Sequence, residues 1–224
     1  MSLELFVKRA LGKLGFQIQH VPVQLWENDP KLAALVEKVA GVTLLDPWRL
    51  QVLYKAARQA SRVPGDAAEV GVYRGGTARL LAETLEGSGK TLHLFDTFGG
   101  MPQTDAAKDK HRAGDFADTS AEAVARFVGS KTARLHPGLF PETAKGLESS
   151  RFALVHVDVD IYRSVLDCCR FFYPRLSPGG LMVFDDYAQP SCPGARQAVD
   201  EFFSDKAEAP IGLPTGQALA VKLP

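Results

Sequence analysis

The chemistry in this chain concentrates in two short stretches. Leu154-Val155-His156-Val157-Asp158-Val159-Asp160-Ile161-Tyr162 is an apolar run that ends in two acids, and Leu181-Met182-Val183-Phe184-Asp185-Asp186 has the same form. An apolar run closing on charge reads as a buried strand that delivers carboxylates to a sheet edge. Neighbouring parallel strands lie about 4.8 Å apart and ligands bind outside their carboxyl ends, so two such strands would gather four acids at one point. Packed carboxylates repel and push one another toward protonation unless a cation joins them. Capping of the next helix and turn would account for one acid at each strand end, but not for two at both. Oxygen donors without a nearby Cys or His pair favour magnesium or calcium over zinc. His156 shares a strand face with Asp158 and reads as a hydrogen-bonded core histidine.

A second chemical feature lies upstream. Ala67 to Val72 is the first strand of the main sheet, Tyr73-Arg74-Gly75-Gly76 a glycine turn, and Thr77 to about Glu86 a helix, which together make a ligand-binding βα unit. Gly71, Gly75 and Gly76 are spaced G-x-x-x-G-G, which is neither the G-x-G-x-x-G of a dinucleotide site nor a P-loop. Glu69 on that strand would repel a pyrophosphate yet attract an ammonium or sulfonium. The second strand, Thr91 to Phe95, stops at Asp96, an acid placed for ribose hydroxyls, and Thr97 to Pro102 reads as a ligand loop. Residues 103–118 form a long polar loop, of the kind that serves as a lid or binding segment. Its basic cluster, Lys108 to Arg112, reads as a solvated tip.

The remaining elements must hold these features in place. Helices are expected over residues 3–14, from Lys31 to Val39, and from Asp46-Pro47-Trp48 to about Ala60, all ahead of the first strand. A capped helix at Ser120 to Val128 and a third strand at Ala133 to Gly138 follow. Further helices are expected at Phe140 to Leu147, Ser164 to Tyr173 and Ala195 to Phe203. Ser177-Pro178-Gly179-Gly180 reads as a turn into the Asp185-Asp186 strand, and Gln217 to Lys222 as a closing strand.

The 224 residues fit one large domain with an N-terminal extension. Lys plus Arg and Asp plus Glu both number 26, so there is no electrostatic footprint for nucleic acid or an anionic membrane, and a small-molecule partner is expected. Cys168, Cys169 and Cys192 form neither a disulfide ladder nor a CxxC pair, which suits a reducing compartment. No signal-type h-region or membrane-length apolar run is visible, so a cytoplasmic location is expected.

Several of these motifs together resemble the macrocin O-methyltransferase family. They are Glu69-Val70-Gly71-Val72-Tyr73-Arg74-Gly75-Gly76, Asp96-Thr97-Phe98-Gly99-Gly100-Met101-Pro102, Gly114-Asp115-Phe116, Asp158-Val159-Asp160-Ile161-Tyr162, and Leu176 to Gly180 through Asp185-Asp186-Tyr187. The resemblance implies a Rossmann-like, doubly wound class I methyltransferase sheet of seven mostly parallel strands with a reversed last strand. It implies S-adenosyl-L-methionine bound by Glu69, Gly71, Tyr73, Gly75, Thr77, Asp96, Thr97, Phe98, Asp115, Phe116 and Asp158. It further implies magnesium or another divalent cation on Asp158, Asp185 and Asp186, with Asp160 as general base beside Asp158. The expected reaction is methylation of a hydroxyl on a sugar or other small vicinal-diol natural product. Two competing readings are a metal-dependent hydroxylase on the same fold and a non-catalytic cofactor-binding protein. Residues 1–62 would then be a helical cap, able to serve as a homo-oligomer contact, and 63–224 the methyltransferase domain. Val159 stands where relatives carry glycine, which questions the backbone path beside the metal.

Overall fold

Two helices that begin on Asp-Pro lead into the sheet. A computed structural model describes residues 28–224, and the helix expected over residues 3–14 lies outside the described residues. Helix α1 (Pro30–Val39) starts at Asp29, whose side chain accepts from Leu32 N at 3.2 Å. Helix α2 (Pro47–Ala60) starts at Asp46, which accepts from Trp48 N at 2.8 Å and Arg49 N at 3.1 Å. In both, proline fills the first helical position, where its missing N–H has no intrahelical partner to lose.

The strands are β1 (Asp66–Val70), β2 (Leu92–Asp96), β3 (Ala133–Pro137), β4 (Phe152–Val157), β5 (Leu176–Phe184), β6 (Ile211–Gly212) and β7 (Ala218–Val221). They form one seven-stranded sheet in the order β3-β2-β1-β4-β5-β7-β6. The first five pair in parallel, β7 runs antiparallel to β5, and β6 antiparallel to β7. The chain leaves β1 toward β2 and returns on the other side at β4, so the order reverses between β1 and β4 and opens a crevice at their carboxyl ends.

Alternation along the strands splits the apolar residues into two clusters. Ala67, Leu154, Leu181 and Val183 face α1, α2, α3 (Gly76–Thr84) and α4 (Ala121–Val128). Ala68, Val70, Val155, Val157, Met182 and Phe184 face α5 (Tyr162–Phe172) and α6 (Pro193–Phe203). Leu32, Leu35, Leu50 and Leu53 belong to the first cluster, so α1 and α2 share a core with the sheet. Cys168 and Cys169 are fully buried in the second; burial pushes the Cys168 thiol well up and that of Cys169 up to about 12.

Four expectations are corrected. Strands β4 and β5 end at Val157 and Phe184, so every acid lies beyond its strand, and the turn closed by Ile161 N on Val159 O at 2.5 Å starts α5 at Tyr162, ahead of Ser164. Residues 140–147 hold only a 3₁₀ turn, Glu142–Ala144, because Pro141 lacks a donor and Gly146, at φ +90°, ends the segment. Ser177 to Gly180 is part of β5, as an irregularity where the register jumps from Phe152↔Leu176 to Leu154↔Leu181. Strand β6 was not expected, since two residues carry no readable period.

The chain's end is tied back by Glu208, which is 6 % exposed. It accepts from the Tyr173 hydroxyl, from Lys222 Nζ at 2.9 Å and from Leu223 N at 3.1 Å. Burial raises its carboxyl, but Tyr173 and Lys222 outweigh that and hold it down to about 2. A depressed folded pKa stabilises above the unfolded value of about 4.3 and the gain fades as pH falls toward the folded value. Glu208→Gln is therefore expected to lower the melting temperature at pH 7 and to make far less difference near pH 2, as read by circular dichroism.

Candidate active site

A cleft of ≈ 290 Å³ opens at the carboxyl ends of β1, β2 and β4. Its size is at the low end of small-molecule sites, about 300–1,000 Å³. Gly71, Val72, Tyr73, Thr77, Asp96, Thr97, Phe116, Asp158, Asp160 and Asp186 are all on its wall, together with Arg49 and His111.

Gly71 explains why the glycine turn must begin where it does. Its φ is +87°, and a Cβ there would lie 1.6 Å from the Asp158 carbonyl oxygen. The turn after β1 and the acid-bearing end of β4 thus touch backbone to backbone, a contact only glycine permits. Asp96 locks the other side: Oδ2 accepts from Val72 N at 2.7 Å and Tyr73 N at 2.8 Å, and Oδ1 from Phe98 N at 2.7 Å. Tyr73, Phe98, Phe116 and Asp160 all have left-handed backbone, with φ between 50° and 62°, and all but Phe98 line the cleft. Such conformations cost about 1–3 kcal/mol each and persist where surrounding structure enforces them. Asp160, not Val159, takes the left-handed position, so replacement of glycine at 159 requires no unusual backbone.

Oxygens of Asp158, Asp185 and Asp186 lie within 4.8 Å of one another. Burial, opposed by His156 and reinforced by Asp160, pushes the Asp158 carboxyl up to about 7. Asp186 is raised well above the carboxylate range, by burial first and then by Asp158 and Asp160. An all-oxygen cluster held toward protonation in this way fits a hard divalent cation.

Asp185 is fully buried and off the cleft wall. Arg49 Nε meets its Oδ1 at 3.2 Å while Nη2 contacts Oδ2, and Gln217 Nε2 donates to Oδ1 at 2.9 Å. Arg49 and Gln217 escaped the sequence reading. A usable signal existed for Arg49, because a cation in the first turn of a helix opposes the helix dipole and needs a partner.

Asp160 donates its backbone N–H to Asp186 Oδ2 at 3.0 Å. Its Oδ1 accepts from Cys192 Sγ at 3.3 Å and lies 3.5 Å from His111 Nε2. Burial raises the Asp160 carboxyl, with Cys192 and His111 opposing. His111 comes from the 103–118 loop, where the basic cluster is a solvated tip only at Lys110 and Arg112, which are exposed. Asp109 is buried and accepts from Tyr162 N at 2.9 Å, while Lys108 Nζ sits 3.3 Å over the Tyr162 ring.

Four residues expected at the methyl donor stand off the cleft wall. Glu69 is fully buried, and its Oε1 pairs with His156 Nδ1 at 2.8 Å, because the β1–β4 register sets them side by side on the face under α2. His156 is thus the hydrogen-bonded core histidine that was expected. Gly75 faces α4, with Val124 3.1 Å from where a Cβ would be. Phe98 packs on the first apolar cluster, and Asp115 turns to accept from Arg112 N at 2.9 Å.

The strand order, the glycine turn and the acids beyond β4 define a class I methyltransferase. The solved O-methyltransferase NovP has the same fold, with a TM-score of 0.70 and 27 % identity over 82 % of this chain and 83 % of that one. The profile of the Macrocin-O-methyltransferase (TylF) family matches residues 34–213, and the chain belongs to that family of O-methyltransferases. A tetracenomycin 4'-O-methyltransferase acting on a dimethoxy-rhamnosyl derivative, from Streptomyces olivaceus, is 34 % identical over 79 % of this chain and 73 % of its own length. Mycinamicin III 3''-O-methyltransferase from Micromonospora griseorubida is 33 % identical over 71 % of this chain and 69 % of its own length. No helix among the described residues is long and apolar enough to cross a membrane.

Gly71→Ala should lose about 1–3 kcal/mol from the left-handed backbone alone, and more from displacing Asp158. Chemical denaturation measures this, and wild-type stability in the variant would refute the close approach.

Proposed function

We propose that this chain methylates a hydroxyl of a sugar, or of another small vicinal-diol natural product, using S-adenosyl-L-methionine and a divalent cation. The observation that carries the reading is the convergence of Asp158, Asp185 and Asp186 beside the Gly71 turn and the Asp96 loop. The family and the sugar hydroxyls named for the two relatives support the acceptor class.

In the transfer an oxygen–carbon bond forms as a sulfur–carbon bond breaks, the sulfonium becomes a neutral thioether, and the hydroxyl proton must leave. Asp158, Asp185 and Asp186 would hold a divalent cation, which when bound lowers the pKa of a hydroxyl and fixes its position. Asp160 takes the proton on its carboxylate. Burial raises its carboxyl, which strengthens it as a base, and the backbone bond to Asp186 keeps it next to the cation ligands. Tyr73, Asp96, Thr97 and Phe116, whose ring meets that of Tyr73 edge-on, wall the donor end of the cleft, while the 103–118 loop reaches the Asp160 side through His111. Alignment within such a cleft supplies up to about 7–11 kcal/mol of the barrier reduction. Residues 63–224 act as the catalytic domain, with the helices before them as its cap.

Asp160→Asn should reduce kcat by about 10²–10⁴-fold, with S-adenosyl-L-methionine affinity little changed. Asparagine tolerates the left-handed backbone at this site, so the fold is preserved. The assay uses labelled donor and a panel of glycosides, with calorimetry for binding. Near-normal turnover in the variant would remove Asp160 from the mechanism. Absence of donor binding by the wild-type protein would overturn the proposed function.

A further inference from the structure

Asp185 is the member of the carboxylate trio that the cleft does not reach. Arg49 is the residue in front of it: its side chain is 14 % exposed on the cleft wall, while that of Asp185 behind it is at 0 %. Nε of Arg49 donates to Asp185 Oδ1 at 3.2 Å and Nη2 stands in contact with Oδ2, which accepts no hydrogen bond, so one charge-assisted bond and the contact of opposite charges hold the pair. Gln217 ties both partners to the sheet, donating to Asp185 Oδ1 at 2.9 Å and to the Arg49 carbonyl at 3.4 Å. The antiparallel register explains this, since Val183 pairs with Leu219 and the next residues on that face are Asp185 and Gln217.

A divalent ion shared by Asp158, Asp185 and Asp186 would need a lone pair from a carboxylate that Arg49 hydrogen-bonds at one oxygen and touches at the other. It would also stand beside a like charge in a place with little water to screen it. We propose that Arg49 is a resident counter-cation that competes with the divalent ion for Asp185, so that loading the site loosens the hold of α2 on the end of β5. This inference rests on the cation reading above. In the ion-free protein Arg49 keeps the buried Asp185 charge paired, and in the loaded protein the ion takes over part of that role. Arg49 acts through Asp185 and is a positioning residue.

The test is titration of the full chain with Mn²⁺ alone, reading bound ion by calorimetry and free ion by electron paramagnetic resonance. Arg49→Gln is expected to bind Mn²⁺ at least about tenfold more tightly than wild type, the scale of one charge-assisted hydrogen bond given up. Arg49→Lys, which keeps the charge but loses the Nε–H donor to Oδ1, should fall between. A gain of affinity is a result that simple structural damage does not produce. Equal or weaker binding by folded Arg49→Gln overturns the competition and leaves the cation reading standing. Mn²⁺ bound by neither protein overturns both, and donor binding, measured separately, distinguishes that from failure of the methyl-transfer reading. Should Arg49→Gln lose its fold, Arg49→Lys decides: binding tighter than wild type supports the competition, and equal or weaker binding overturns it.

Discussion

Three carboxylates brought within 4.8 Å of one another is an arrangement that repels itself, and the surrounding structure is organised to tolerate it. Two of the acids lie beyond the end of β5 and one beyond β4, on adjacent parallel strands, so sheet spacing alone forces them together. Arg49, projected from a helix that precedes the whole sheet, neutralises the deepest one. Backbone amides serve others, as Asp160 N does for Asp186. Docking of α2 is therefore an electrostatic requirement of the sheet edge as well as a matter of apolar burial.

The polar row continues beneath the cleft. Glu69, His156, Asp185 and Gln217 stand on one face at the ends of β1, β4, β5 and β7, under α2. Within it, Glu69 bonds His156, and Gln217 bonds Asp185, while His156 Nε2 stays 3.9 Å from Asp185. These bonds turn the four side chains toward one another and away from the cleft, and they leave Glu69 Oε2, His156 Nε2 and Asp185 Oδ2 without a hydrogen bond. Asp158 and Asp186 line the cleft instead.

Legibility in the sequence followed the range of the interaction. Helix starts at Asp29, Asp46 and Ser120 were readable because capping is decided within three or four residues. The parallel strands were readable from their apolar runs, and the acid cluster from two runs ending in charge. What could not be read depended on pairing across the chain. Glu69 looked like a ligand residue until register placed it against His156, 87 positions away. Arg49 and Asp185 are 136 apart and Gln217 is 168 from Arg49, distances at which no local pattern survives. The short β6 and the 3₁₀ turn at Glu142–Ala144 were missed for the opposite reason, being too brief to carry a period.

Asp109 ties together three segments that differ in origin. It lies on the covering loop, caps the start of α5 just after Asp160, and approaches Gly194 so closely that a Cβ there would be 2.2 Å from its Oδ1. The loop, the acid-bearing turn and the first turn of α6 are thus fitted as one piece. Anyone grafting the loop between relatives to change acceptor preference would have to move Asp109, Tyr162 and Gly194 as a set, since a loop transplanted alone would arrive without its socket.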